Sequence, residues 1–343
     1  MANPTTLNSC TYDLYAIGNA LVDSEYEVSD AHLLAMGVDK RHMTLIDEAR
    51  RAELLGHLGH TTSRRTGGGS AGNTVVALAQ LGGRAFYSCR VADDELGKFY
   101  TQDLINNQVT TNLTHTQAAP GQTGSCMVMV TPDAERSMST FLGATAELDH
   151  TALHEQDIAR SRIYYMEGYL AASPTGLQAA LRGRQIALDA GVALATTLSD
   201  VSMINFCRPG LDAIVGTGLS YLFCNEEEAQ VWCGTTDLAA IIGQLSQLAR
   251  TVCLTRGPQG CVVIEGGQQT VVPAAVVKAL DTNGAGDMFA GAFLYAATQG
   301  HSHAQAAWLA NQAAARVVSQ YGNRLTPAVM DGLKTRFAQH VGI

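Results

Sequence analysis

The stretch Asp281-Thr282-Asn283-Gly284-Ala285-Gly286-Asp287 runs directly into the apolar segment Met288-Phe289-Ala290-Gly291-Ala292-Phe293-Leu294. Three small residues ahead of an apolar helix let backbone N–H groups converge where the aligned peptide dipoles favour a negative group such as a phosphate. Gly284, Ala285 and Gly286 are therefore a candidate anion hole, and Asp287 sets a carboxylate beside it. A carboxylate repels a transferring phosphoryl group, so its chemical use there is to take a proton from an attacking hydroxyl. The same residues also suit a plain glycine turn followed by a first-turn acid. Taken alone, the motif leaves both readings open.

Moving outward, Gly67-Gly68-Gly69-Ser70-Ala71-Gly72-Asn73 opens a helix expected to run to Leu81. It is neither G-x-G-x-x-G nor a Walker loop, since no Lys follows in place. Either Gly68 and Gly69 bring backbone close to a ligand with Asn73 supplying an amide, or this is a glycine-rich turn. Gly18 to Asp23 ends the first expected strand with Asn19 and Asp23. Ligands bind at such strand ends in open α/β sheets, and a carboxylate that accepts two hydroxyls reads a diol. A cap or turn role is the alternative. Asn225-Glu226-Glu227-Glu228 follows the apolar run Ser220–Cys224. Those acids complement a helix dipole or give outer-sphere support to a Mg²⁺–phosphate cluster. Thr255-Arg256-Gly257-Pro258-Gln259-Gly260 is placed to wrap a nucleotide, and Arg136 to close onto phosphate. His57, His60, His301 and His303 have no matching ligand partners and read as surface residues.

Strand-like and helix-like runs alternate along most of the chain, which predicts an α/β fold with a mostly parallel central sheet flanked by helices. Expected strands are 12–18, 84–91, 163–167, 192–197, 221–224 and 251–255; expected helices include 71–81, 94–107, 236–250, 284–298, 302–321 and 327–340. Segments 25–46 and 124–142 break the pattern with β-like runs and no intervening helix. With no Pro- or Ser-rich linker, the expectation is one domain over 1–343 carrying a small discontinuous β lid from those two segments.

Composition narrows the class. Of 343 residues 46% are hydrophobic and only 15% charged, the reverse of a disordered chain. The net charge of −9, with no basic run, argues against nucleic acid and anionic membrane as partners. The longest apolar candidate, 285–297, contains Asp287 and is too short to span a bilayer. The N-terminus lacks a basic stretch followed by an apolar core. Eight cysteines without a C-x-x-C pair read as buried thiols, so a cytoplasmic location is expected.

Together these motifs resemble the ribokinase-like, or PfkB carbohydrate kinase, family over about residues 13–323. The resemblance implies ATP-dependent phosphorylation of a primary hydroxyl on a small nucleoside or sugar, by a monomer or dimer. On it, Asp287 is the base and Gly284, Ala285 and Gly286 the anion hole. Asn225, Thr255, Gly257, Gly260 and Asn283 attend ATP, Glu228 acts indirectly on Mg²⁺, and a monovalent cation, K⁺, would lie near Asp281. Asn19, Asp23, Gly68, Gly69 and Asn73 would hold the sugar, with Arg136 beside it. Residues 18–23 and 123–144, with the D-T-N form of the motif, are most similar to adenosine kinases and their bacterial relatives. That similarity points His42, Thr44, Met138 and Tyr169 toward a base. Tyr169-Leu170 does not supply a paired-phenylalanine platform, so Tyr169, Phe141 or Tyr26 is the expected flat surface for stacking.

Overall fold

Each of the central strands carries apolar residues on both sides, and in the computed structural model, which describes residues 10–40, 43–59, 64–116, 118–133 and 135–342, they lie between two helical layers. Nine strands form the main sheet, in the spatial order Gln268–Val272, Cys261–Glu265, Ala249–Thr255, Leu219–Asn225, Ala193–Thr197, Ser161–Met166, Tyr12–Ile17, Ala85–Ser88, Val109–Thr111. The first two form antiparallel pairs and the remaining seven run parallel. Alternation divides the core. Leu14 and Ala16 face one apolar cluster, while Tyr15 and Ile17 face the other. This is why the strands read as unbroken apolar runs.

On one face, the helices Ser70–Leu81 and Ala285–Thr298 are nearly apolar all round and are correspondingly buried. They touch closely: a Cβ on Gly291 would sit 2.5 Å from the Thr74 carbonyl oxygen. Through this contact the two glycine loops, more than 200 residues apart in the chain, start their helices side by side.

A second sheet has the order Met43–Leu45, Arg136–Phe141, Gly124–Val130, Leu21–Glu27, Arg64–Gly68. Segments 25–46 and 124–142 pair within it, since Leu21–Glu27 runs parallel to Gly124–Val130 and Met43–Leu45 parallel to Arg136–Phe141. Its extent differs from expectation in three respects. The sheet begins at Leu21 and includes Arg64–Gly68, whose two terminal glycines mask a strand. The 25–46 segment also contains a helix, Asp30–Ala35, capped by Ser29. In the main domain the helix expected over 236–250 covers only Leu238–Leu245, because the strand begins at Ala249.

All eight cysteines are free thiols, and Cys89, Cys126, Cys224, Cys253 and Cys261 are buried. No helix among the described residues is long and apolar enough to cross a membrane.

Candidate active site

Asp287 occupies the first turn of the Ala285–Thr298 helix, whose N-cap, Gly284, has φ +74°. The Ala285 N–H is spent on the Thr282 carbonyl, and the first intrahelical bond comes from Met288 to Gly284. The N–H groups of Gly286 and Asp287 therefore have no acceptor within the helix. Gly286 is exposed and a Cβ on it would meet nothing within 4 Å, so the turn borders open space at this residue. Ser70 donates to Asp287 Oδ1 at 2.6 Å and Asn73 Nδ2 to Oδ2 at 2.9 Å. Burial pushes the Asp287 carboxyl up to about 6, while Ser70, Asn73 and the Arg324 charge oppose that rise.

Opposite stands Asp23 on the Leu21–Glu27 strand. Its Oδ2 accepts from Asn323 Nδ2 at 2.9 Å, and burial pushes it up to about 7, against the pull of Arg324. The glycines of the 67–69 run have separate jobs. A Cβ on Gly68 would lie 2.5 Å from Asp23 Oδ1, so the carboxylate packs on bare backbone. Gly69, at φ +85°, leaves no room for a side chain against the Asn19 carbonyl. Gly67 clears the Asp103–Arg324 ion pair.

Sequence-predicted residues fall into three groups. Asp287, Asn73, Gly68, Gly69, Asp23 and Gly286 converge as described; the expected anion hole shifts by one residue, because the Ala285 N–H is spent on Thr282 and the helix donors left over are those of Gly286 and Asp287. Asn19 belongs to their support: its Nδ2 donates to Glu167 at 2.8 Å and its Oδ1 accepts from Thr145 at 3.4 Å. Along the same edge, Asn225 and Glu228 form a capping box on the Glu226–Cys233 helix, with both Glu228 oxygens engaged by Asn225. Thr255, Gly257 and Gly260 form the turn from the last parallel strand into the edge hairpin, both glycines at positive φ. The Asn283 N–H donates to Asp281 Oδ1.

Asp281 presents its carboxylate to side chain and backbone together. Arg136 Nη1 pairs with Oδ2 at 3.2 Å and the Gly322 N–H donates to the same oxygen at 3.0 Å. Arg136 also holds Glu25 at 3.1 Å and covers the Tyr321 ring.

Register sorts the residues expected near a base. Glu25, Val128, Met138 and Met43 lie in one cross-strand row, and Asp23, Cys126, Thr140 and Leu45 in the next, on the same face. Thr44 aligns with Ser139 on the opposite face. Tyr26 also points away, into a cluster with Leu33, Leu54, Met127 and Met129. The Tyr169 hydroxyl donates to the Ser199 carbonyl at 3.5 Å. His42 and His60 lie outside the described residues. His57 is exposed; His301 and His303 are half-buried against aromatic rings, and His303 pairs with Glu265.

Four side chains of the candidate site escaped the sequence reading. Ser70 sat unremarked inside the glycine run. Glu167, fully buried at the end of Ser161–Met166, accepts from Asn19 and the Ala71 N–H. Asn323 and Arg324 follow Gly322 near the C-terminus; the available signal was two polar residues set between a glycine and the apolar Leu325.

A mostly parallel sheet with helices on both faces, a second small sheet, and paired glycine loops at the strand ends define a ribokinase-like α/β kinase. The chain belongs to the pfkB family of carbohydrate kinases, whose sequence model matches residues 38–328. The structure of an adenosine kinase from Sinorhizobium meliloti superposes with a TM-score of 0.85 at 34% identity, covering 96% of this chain and 99% of that one. Among curated sequences, adenosine kinase of Saccharomyces cerevisiae is 27% identical over 84% of this chain and 90% of its own length. Mouse (Mus musculus) ribokinase is 29% identical over 66% of this chain and 70% of its own length. As a kinase of this family the protein uses ATP.

Proposed function

We propose that this kinase transfers the γ-phosphoryl group of ATP to the primary 5′-hydroxyl of a nucleoside, adenosine first, with Asp287 as base. The observation that carries the reading is the face of the second sheet that bears Asp23. Across from the carboxylate, Leu45 ends the row of Asp23 and Met43 ends the neighbouring row of Val128 and Met138 on the same face, and Met43 and Leu45 remain 43% and 60% exposed. Such a surface offers hydroxyl recognition at one end and an apolar shelf for a flat base at the other. The similarity to adenosine kinases points the same way.

In this reading Asp23 accepts sugar hydroxyls and Gly68 lets the ring approach. Asp287 removes the proton from the attacking hydroxyl, while the open N–H groups of Gly286 and Asp287 stabilise charge growing on the phosphoryl oxygens. Asn225 and Glu228 would orient Mg²⁺ through water, because Glu228 keeps both oxygens in its capping box. The ion supplies neutralisation of phosphate charge. Thr255, Gly257 and Gly260 flank the nucleotide. The second sheet acts as a lid that excludes water.

A free-sugar acceptor such as ribose or fructose is the second reading. It draws on the outward packing of Tyr26 and on the tied Tyr169 hydroxyl, which leave the shelf aliphatic. Similarity to ribokinase supports it as well. ADP production with Mg-ATP against adenosine, guanosine, inosine, cytidine, ribose and fructose separates the two. Adenosine should give the highest kcat/KM. Preference for ribose or fructose overturns the nucleoside reading, and no turnover by folded, nucleotide-binding protein overturns both.

A further inference from the structure

Arg324 is buried, with 8% of its surface exposed, in the loop that follows the His303–Val318 helix. A buried guanidinium must be paired, and this one pairs through Nη1 with Asp103 on the Glu95–Asn106 helix. Its Nε donates to Asn73 Oδ1 at 3.3 Å, and Asn73 Nδ2 donates onward to Asp287 Oδ2 at 2.9 Å. The chain Asp103–Arg324–Asn73–Asp287 thus joins four separate elements.

We infer that Arg324 is a positioning residue for the phosphoryl transfer, fixing the Asn73 amide with its NH2 toward Asp287 and so holding that carboxylate in its proton-accepting form. An amide presents an acceptor at one end and two donors at the other. With a cationic donor on the Asn73 oxygen, the NH2 has one orientation available. A flipped amide would set oxygen against the Asp287 carboxylate and NH2 against a guanidinium. Lysine cannot replace the group fully, because one ammonium does not reproduce a planar group that bonds Asn73 through Nε and Asp103 through Nη1.

Gly67 is an independent sign that the site is built around this cation. A Cβ there would lie 2.8 and 2.9 Å from the two terminal nitrogens of Arg324 and closer still to Asp103. The first glycine of the run is thus explained by the path of the ion pair.

The surrounding charges make the cation matter. Asp23, Glu167 and Glu228 are raised first by burial and further by the Asp287 charge, as are the phenols of Tyr165 and Tyr169. Arg324 acts in the opposite direction on both Asp287 and Asp23. Removing it leaves Asp287 among buried acids, so its proton-accepting form retreats to higher pH.

This inference rests on the reading of Asp287 as base, and the test separates the two. Profiles of kcat between about pH 5 and 9 are measured for wild type, Arg324→Gln, Arg324→Lys and Gly67→Ala, with thermal midpoints as the folding check. Arg324→Gln should lower kcat by about tenfold or more, since misplacement of the base is costly. Its acidic limb should move up by about one pH unit. The KM for ATP should stay within about twofold. Arg324→Lys should restore the limb but only part of the rate. Gly67→Ala, which keeps the guanidinium but displaces it, should lower kcat in the same direction and serves if Arg324→Gln does not fold. A carbon NMR titration of the Asp287 carboxyl reads its midpoint without turnover, whatever the acceptor proves to be. A folded Arg324→Gln protein with an unmoved Asp287 midpoint and wild-type kcat overturns the inference. A raised midpoint in a protein that phosphorylates nothing supports the link while overturning the base assignment.

Discussion

Asn323 Nδ2 donates to Asp23 Oδ2 at 2.9 Å, joining residues 300 positions apart in the chain. The same short loop donates from the Gly322 N–H to Asp281, and a Cβ on Gly284 would lie 2.8 Å from the Asn323 Cβ. One loop therefore touches the acid that would read acceptor hydroxyls and the turn that would hold phosphate. Asn323 Oδ1 is buried with no partner among the described residues. Acceptor and phosphate ends of the site are mechanically continuous.

Asp23→Ala follows from that placement. If the carboxylate accepts two hydroxyls, its loss removes two charge-assisted bonds of about 1.5–3 kcal/mol each, not strictly additive. The KM for the acceptor should rise by about two orders of magnitude or more, with the KM for ATP nearly unchanged. Steady-state kinetics with each substrate varied in turn measures both. Equal damage to the two would assign Asp23 to the turn alone.

The fold was legible because its core strands are buried on both faces and its long helices are bounded by glycines or capping residues. What misled was local. Gly67 and Gly68 hide the end of a strand, since glycine is a poor strand former and here it makes way for Asp23 and Arg324. The site motifs at 67–73 and 281–287 were readable because they are contiguous. Glu167, Asn323 and Arg324 were not, because each acts through a contact made only by folding. Thr44, placed by resemblance, and Tyr26, named as a flat stacking surface, show the limit of placing a side chain before its register is known: both lie on the face away from Asp23.

Ligand-free stability should fall as pH rises. Burial raises Asp287 to about 6 and Asp23, Glu167 and Glu228 to about 7. Unfolded carboxyls titrate near about 4. Between those values the folded state binds more protons than the unfolded one, so stability declines through about pH 4 to 7 and levels off above. Thermal midpoints across that window test it. Asp23→Asn removes one buried charge and should raise the midpoint at pH 8 relative to wild type while lowering acceptor affinity. A wild-type midpoint that climbs steadily from pH 5 to 8 would contradict this account.

The proposed role of the second sheet as a lid gives a kinetic expectation. Arg136 ties that sheet to the main domain by pairing with Asp281, while its pair with Glu25 stays within the sheet. ATP hydrolysis without acceptor should be far slower than phosphoryl transfer, and Arg136→Gln should narrow the gap by raising hydrolysis relative to transfer. An acceptor-independent ATPase as fast as the kinase would show that the sheet does not gate the site.

Asp287→Asn tests the centre of the proposal. The variant keeps the size of the side chain, and its amide can accept from Asn73 Nδ2 while donating to the Ser70 hydroxyl, which turns to suit. The helix start and the fold should survive with little change in thermal midpoint. Lost is the proton acceptor, and general-base assistance contributes about 10²–10⁴-fold, so turnover should drop by at least that range. ATP affinity should hold or tighten, because one negative charge near the γ-phosphate is removed. A purely structural Asp287 predicts the opposite pattern: near-normal turnover per folded molecule and a lower midpoint. Turnover, nucleotide affinity and melting measured on one preparation decide between them, and a variant that keeps more than about a tenth of wild-type turnover would defeat the assignment of Asp287 as base.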